Sequence, residues 1–142
     1  MTAIDEGRQR AFVSVLGGRG VNGSIAVYDL QALEEIEQVE LVPFMLAAVP
    51  HREEVVMPLS RNTSLRFLHL DVSQTPARVL HDIEVPDVLT FPAAVTVSPD
   101  GRYAFVGAEV SRELLIVDLV DGGVQRRPWL DDMGPTALTV VP

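Results

Sequence analysis

The residues in this sequence that could do chemistry fall into four groups. Gly18-Arg19-Gly20-Val21-Asn22-Gly23 has the spacing of a loop that cradles a pyrophosphate. That use requires a strand before the glycines and a helix after them, so that the phosphates sit on the helix N-terminus. Ala11–Leu16 reads as the strand, but Ser24-Ile25-Ala26-Val27-Tyr28 reads as a second strand, so the segment is a glycine-rich turn. His51, His69 and His81, with Asp71 and Asp82, are metal-ligand types, yet no pair has the i, i+4 or H-x-E spacing of a metal site. His69 and Asp71 share one face of a strand, and all three histidines read as ordinary strand and loop residues. No G-x-S-x-G nucleophile elbow is present. Asp29, Asp71 and Asp118 each close an apolar run (V-Y-D-L, L-H-L-D-V, I-V-D-L), a placement that suits hydrogen bonds to backbone N–H groups of the following turn. Trp129 reads as cover for a sheet edge or as an anchor for a partner. Asn22-Gly23-Ser24 and Asn62-Thr63-Ser64 match the glycosylation sequon, with nothing to place the chain in a secretory pathway.

Composition narrows the classes. The 142 residues suffice for one ordinary domain, and 47% hydrophobic content makes the chain globular. Twenty acidic residues against eleven basic ones, all arginine, leave a net charge of −9. That balance argues against nonspecific binding to nucleic acid or to an anionic membrane, both of which need clustered positive charge. The missing lysine is attributed to a GC-rich genome. Without cysteine there are no disulfides and no thiolate metal sites. No run reaches the ~18 apolar residues of a membrane-spanning helix. Met1–Arg10 is polar with no apolar stretch behind it, so the expectation is a cytoplasmic chain, or an extracellular one if it belongs to a longer secreted protein.

The elements that would position these residues repeat. Pro, six residues, Pro occurs at Pro43–Pro50, Pro92–Pro99 and Pro135–Pro142, with starts 49 and 43 residues apart. The three aspartates are 42 and 47 residues apart, and A-F-V at Ala11–Val13 recurs at Ala104–Val106. The clearest unit divides into strands Ala93–Ser98, Tyr103–Gly107, Leu114–Leu119 and Val124–Trp129. Asp100-Gly101 and Gly122-Gly123 supply turns that need positive φ. Leu30–Leu41 suits a surface helix by its apolar spacing and glutamates, whereas the repeat register makes Ile36–Leu41 a fourth strand; the register is preferred. The middle unit is degenerate where Pro50-His51-Arg52-Glu53 stands in place of a Pro-Asp-Gly-Arg turn.

A four-stranded unit of 40–50 residues is the signature of a propeller blade. "V-S-P-D-G-R-Y-A-F-V" followed by "L-L-I-V-D-L" resembles the YVTN-type β-propeller repeat of lactonase-like and surface-layer-associated propellers of bacteria and archaea. The resemblance is good over Pro92–Pro142, fair over Arg8–Pro50 and weak over His51–Phe91. The expected fold is all-β: three four-stranded antiparallel blades in one segment, residues 1–142, with repeats near 8–50, 51–99 and 100–142, half of a six-bladed ring.

In that register the chain opens at a second strand near Ala11 and ends on a first strand, Pro135–Val141. Three blades cannot close a ring, which takes about four to eight. The expectation is a homodimer in which Pro135, Leu138 and Val140 of one chain complete the blade begun by Ala11, Phe12 and Val13 of the other; the alternative is a piece of a longer propeller. Loops joining second to third and fourth to first strands would gather Arg19, Asn22, Arg61, Asn62, Glu109 and Arg112, with Phe44 and Phe91, around the channel, where arginines could receive a small anion or a protein partner. The resulting expectation is a non-enzymatic binding and assembly module with no cofactor and no metal. The alternative is a part of a propeller enzyme, a lactonase-like hydrolase or an oxidoreductase subunit.

Overall fold

In the computed structural model the described residues are 2–5, 9–15, 24–40, 45–61, 63–74, 77–88, 92–129 and 138–140. They form twelve strands in three antiparallel four-stranded sheets and no helix, hence none long and apolar enough to cross a membrane. Blade 1 runs β1 (Thr2–Asp5), β2 (Arg10–Val15), β3 (Ser24–Asp29), β4 (Glu34–Glu40). Blade 2 runs β5 (Ala47–Ala48), β6 (Glu54–Arg61), β7 (Ser64–Asp71), β8 (Arg78–Pro86). Blade 3 runs β9 (Pro92–Val97), β10 (Tyr103–Ala108), β11 (Glu113–Asp118), β12 (Val124–Pro128). Every strand pairs with its neighbour in sequence, as short hairpin loops require.

One backbone hydrogen bond fixes the internal register. Leu30 N–H donates to Gln9 C=O at 2.7 Å, Val72 N–H to Glu53 C=O at 2.8 Å and Leu119 N–H to Arg102 C=O at 2.8 Å. The bond ties the residue after each aspartate to the residue before each second strand. Phe12, Val56 and Phe105 are therefore equivalent, and the A-F-V repeat superposes residue for residue.

The first blade corrects one expectation. The chain does not open at a second strand: Thr2–Asp5 pairs with β2, with Thr2 opposite Val13, Ala3 opposite Phe12 and Ile4 opposite Ala11. The edge of β2 that a partner's strand would take is thus occupied by the chain's own N-terminal residues. Ala11, Phe12 and Val13 are not the margin of an unfinished blade, and Phe12 is buried against blade 2. Leu138 and Val140 lie in no strand, and Pro135 falls outside the described residues.

Residues 34–40 form a strand, as the repeat register requires. Asp29 Oδ1 accepts from the backbone N–H groups of Gln31 and Ala32 at 2.8 and 2.9 Å, a start that would also suit a helix. Leu33 then takes φ 57°, outside the helical region, and the chain turns back along β3.

The degenerate middle unit keeps its hairpin by different chemistry. In blade 3, Gly101 N–H donates to Ser98 C=O at 2.8 Å and Gly101 carries the positive φ of 70°. In blade 2, Arg52 N–H donates to Val49 C=O at 3.2 Å, and the positive φ of 62° falls on His51, directly after Pro50. Pro58 sits inside β6, where a proline removes a ladder donor. It is accommodated because β5 pairs only with Val55 and Val56, leaving that edge of β6 unpaired by β5 at Pro58.

Two cores hold the blades together. Phe12 and Val27 of blade 1 pack with Leu46, Val55, Met57, Leu68 and Leu70 of blade 2. Val56, Leu65, Phe67 and Val85 of blade 2 pack with Ala104, Val106, Leu115 and Val117 of blade 3. Gly101 reaches across this second junction: a Cβ there would stand 3.1 Å from Val49 Cγ1 and 3.4 Å from Pro50 O. Gly101→Ala therefore combines left-handed strain with crowding, and urea denaturation is expected to show a loss of about 1–2 kcal/mol. An unchanged midpoint would contradict this turn geometry.

Candidate functional site

The recurring aspartates have the structural task their position suggests. Besides the Asp29 bonds, Asp71 Oδ1 accepts from Ser73 Oγ at 2.5 Å and from Ser73 N–H at 3.0 Å, and Asp118 Oδ1 accepts from Val120 N–H at 2.9 Å. These hydrogen bonds hold all three carboxyls below the ordinary aspartate range, led by Ala32 N–H for Asp29, Ser73 Oγ for Asp71 and Val120 N–H for Asp118. Asp100 is held low in the same way, first by Ser98 Oγ and then by Arg102 N–H.

The histidines divide. His51 is exposed at its turn. His69 is 1% exposed and donates from Nε2 to Glu54 Oε2 at 2.8 Å, while its Nδ1 is buried without a hydrogen-bond partner. His81 stacks on it, ring centroids 5.5 Å apart and planes 21° apart, and donates from Nε2 to the Leu119 carbonyl of blade 3 at 3.0 Å. Burial pushes the His69 imidazole below its ordinary value, against the opposing pull of Glu54. Asp71 and Asp82 take no part: Asp71 binds its own turn, and Asp82 pairs with Arg66 at 2.7 and 2.6 Å. Among the described residues no group of three or more acidic or histidine side chains could hold a metal ion. The cluster was missed in the sequence because Glu54, 15 residues from His69, meets it only through the β6–β7 pairing.

At the channel end the described part of the expected set is small. Glu109 and Arg112 are exposed in the β10–β11 turn, where Arg112 N–H donates to Glu109 C=O at 3.2 Å and Arg112 takes φ 54°. Arg61 closes β6 on the same end of its sheet. Arg19, Asn22, Asn62, Phe44 and Phe91 lie outside the described residues. Trp129, just past β12, is half-buried, and its N–H donates to Arg112 C=O at 2.7 Å.

The outer faces of the arc are a site that no motif announced. On blade 3, Phe105, Leu114 and Ile116 are half-buried, although their equivalents in blade 2, Val56, Phe67 and His69, are 0%, 0% and 1% exposed. A cleft of about 320 Å³ opens on this face between Arg102, Tyr103, Ile116, Asp118 and Gln125. Arg102 stacks over Tyr103 at 5.0 Å and binds Asp118 at 3.1 Å. On blade 1, Ile4 is 59% exposed, whereas its counterpart in blade 3, Val97, is 9% exposed inside the core.

No family model matches the sequence, and no curated protein matches it. Solved structures do. Hydrazine synthase of Kuenenia stuttgartiensis is similar at TM-score 0.68 and 22% identity over 92% of this chain and 42% of that one. The Cps50 (Swd1) β-propeller domain of Myceliophteria thermophila is similar at TM-score 0.70 and 12% identity, over 98% of this chain and 44% of that one. The dihydro-heme d1 dehydrogenase NirN, in complex with DHE, is similar at TM-score 0.57 and 16% identity, over 91% of this chain and 28% of that one. At these identities the likeness is one of fold, and the fold is that of β-propeller blades. The chain spans less than half the length of each of these proteins.

Proposed function

We propose that this chain is a non-enzymatic propeller module, built of YVTN-type repeats, that associates with itself into a six-bladed homodimeric ring and binds a small anion or a protein partner at the channel end. The observation that carries the reading is the apolar side chains left partly or mostly exposed on the two end sheets, Ile4 on one and Phe105, Leu114 and Ile116 on the other, where no further described blade stands. Apolar sheet faces of this kind are stable when another layer covers them. Three blades fall short of the four to eight of a closed ring, and two chains supply six. Arg112, exposed at the channel end of an acidic protein, supports an anionic ligand there. Light scattering coupled to gel filtration tests the assembly: the expected mass is about 31 kDa, twice the 15.5 kDa chain. A stable species at 15.5 kDa overturns the reading.

A further inference from the structure

Each blade has two unlike faces, and cross-strand pairing shows which residues belong to which. The face turned toward the following blade carries Phe12 and Val27 in blade 1, Val56, Phe67 and His69 in blade 2, and Phe105, Leu114 and Ile116 in blade 3. The face turned toward the preceding blade carries Ile4, Ala11, Val13, Ala26 and Tyr28 in blade 1; Ala48, Val55, Met57, Leu68 and Leu70 in blade 2; and Val97, Ala104, Val106, Leu115 and Val117 in blade 3. The two kinds of face meet twice within the chain, once in each core. Among the described residues, one of each kind is left without a partner blade, the first on blade 3 and the second on blade 1.

We infer that these two faces are each other's partners between chains: the Phe105–Leu114–Ile116 face of one copy packs on the Ile4–Val13–Tyr28 face of a second, at two identical junctions. The inference rests on the self-association reading and specifies its chemistry. It differs from the exchange of a strand, because each blade is already complete. A second copy fits both surfaces, because it brings each kind of face in the form the chain already uses at its internal junctions. In register, Phe105, Leu114 and Ile116 stand where blade 2 presents Val56, Phe67 and His69, and Ala11 and Val13 stand where blade 3 presents Ala104 and Val106, so the same strand positions meet at the proposed junction as at the internal one. Two equal junctions also close the assembly, so neither face stays open to a third copy.

The natural absence of cysteine gives a direct test. Val56 and Val97, the internal counterparts of Phe105 and Ile4, are members of one core cluster. The double variant Ile4→Cys/Phe105→Cys is therefore expected to be joined by a flexible thiol-specific bismaleimide into a covalent species of about 31 kDa on a denaturing gel, twice the chain mass. Each single variant is expected to stay at the mass of one chain. Crosslinking by Phe105→Cys alone would mean that like faces meet and would overturn the inference, as would no crosslinking in a double variant that is dimeric by light scattering. Ile4→Asp alters a side chain that is mostly exposed in the single chain, so it is expected to fold with an unchanged circular dichroism spectrum and to run as a monomer. A 31 kDa Ile4→Asp protein would overturn the inference while leaving self-association intact. A monomeric unmodified protein would remove both.

Discussion

Phe67→Ala is expected to cost about 3–5 kcal/mol, the range for deleting a fully buried phenyl group from a core that relaxes only in part. Phe67 is 0% exposed in β7, opposite Pro58 on one side and Ile83 on the other, and it belongs to the core between blades 2 and 3. The same core holds Ala104 and Ala108 of blade 3, short side chains on sheet backbone that cannot swing into the space a lost ring leaves. A domain of this size has roughly 5–15 kcal/mol in total. The variant would therefore lose about a fifth of its stability or more, and the denaturant midpoint would fall in proportion. Chemical denaturation measures it, with Phe105→Ala as comparison. Phe105 is half-buried on the outer face, so in the dissociated chain its truncation should cost clearly less. Equal losses for the two at low protein concentration would show that Phe67 is not at a packed junction.

The second large effect is expected at Glu54. Glu54→Ala takes away the acceptor of the His69 Nε2–H, in a ring whose Nδ1 already lacks a partner. Leaving a buried donor unsatisfied costs about 1–3 kcal/mol. The same cluster sets a pH dependence. His69 is held below its ordinary value by burial, so the folded protein resists the proton that the unfolded chain accepts near pH 6.5. Its contribution is complete above that pH and is lost progressively below it, by at most about 1.4 kcal/mol per pH unit for one group. The groups acting on the ring are Glu54 on β6, Arg52 before it and His81 on β8, whose own Nε2 is held by the Leu119 carbonyl of blade 3. Glu54 opposes the burial effect, so Glu54→Ala should widen the acid-sensitive window, and His69→Leu should flatten the profile between pH 5 and 7. Melting curves at pH 5.5 and 7.5 decide: an undiminished acid loss in His69→Leu would assign it elsewhere. The four aspartates held low by their turns act in a separate window, since their stabilisation is lost only as pH falls below about 4.

How much of this was legible in the sequence varies by blade, and the reasons are local. In blade 3 the turn residues Asp100, Gly101 and Gly122 fix the hairpins, and the strands begin and end within one residue of their expected limits. The aspartate turns were legible because the side chain bonds within two or three residues of itself. The strand at 34–40 was legible only through the repeat, since its glutamates and apolar spacing equally suit a helix. Thr2–Asp5 was not legible. Ile4 is its one large apolar residue, and only pairing with β2 makes the segment a strand. That three blades leave the ring open was legible in the repeats, but not which residues line the open faces: Phe105 and Val56 occupy the same place in their repeats, and what distinguishes them is whether another sheet stands in front. The channel-end residues are an expectation from fold analogy, and of that group Glu109 and Arg112 are the ones whose side chains the structure describes.

Blade 2 is the sheet packed on both sides, by Phe12 and Val27 on one and by Leu115 and Val117 on the other. Arg10 reaches Glu53 at 2.5 Å and Arg126 donates to Pro86 C=O at 3.1 Å, so polar ties join it to both neighbours as well. In the single, dissociated chain, a linear stack where each unit touches only the next, cooperativity is graded along the stack. The end sheets fray first and the middle one opens last, which makes β7 the slowest place for a protease or a solvent deuteron to reach.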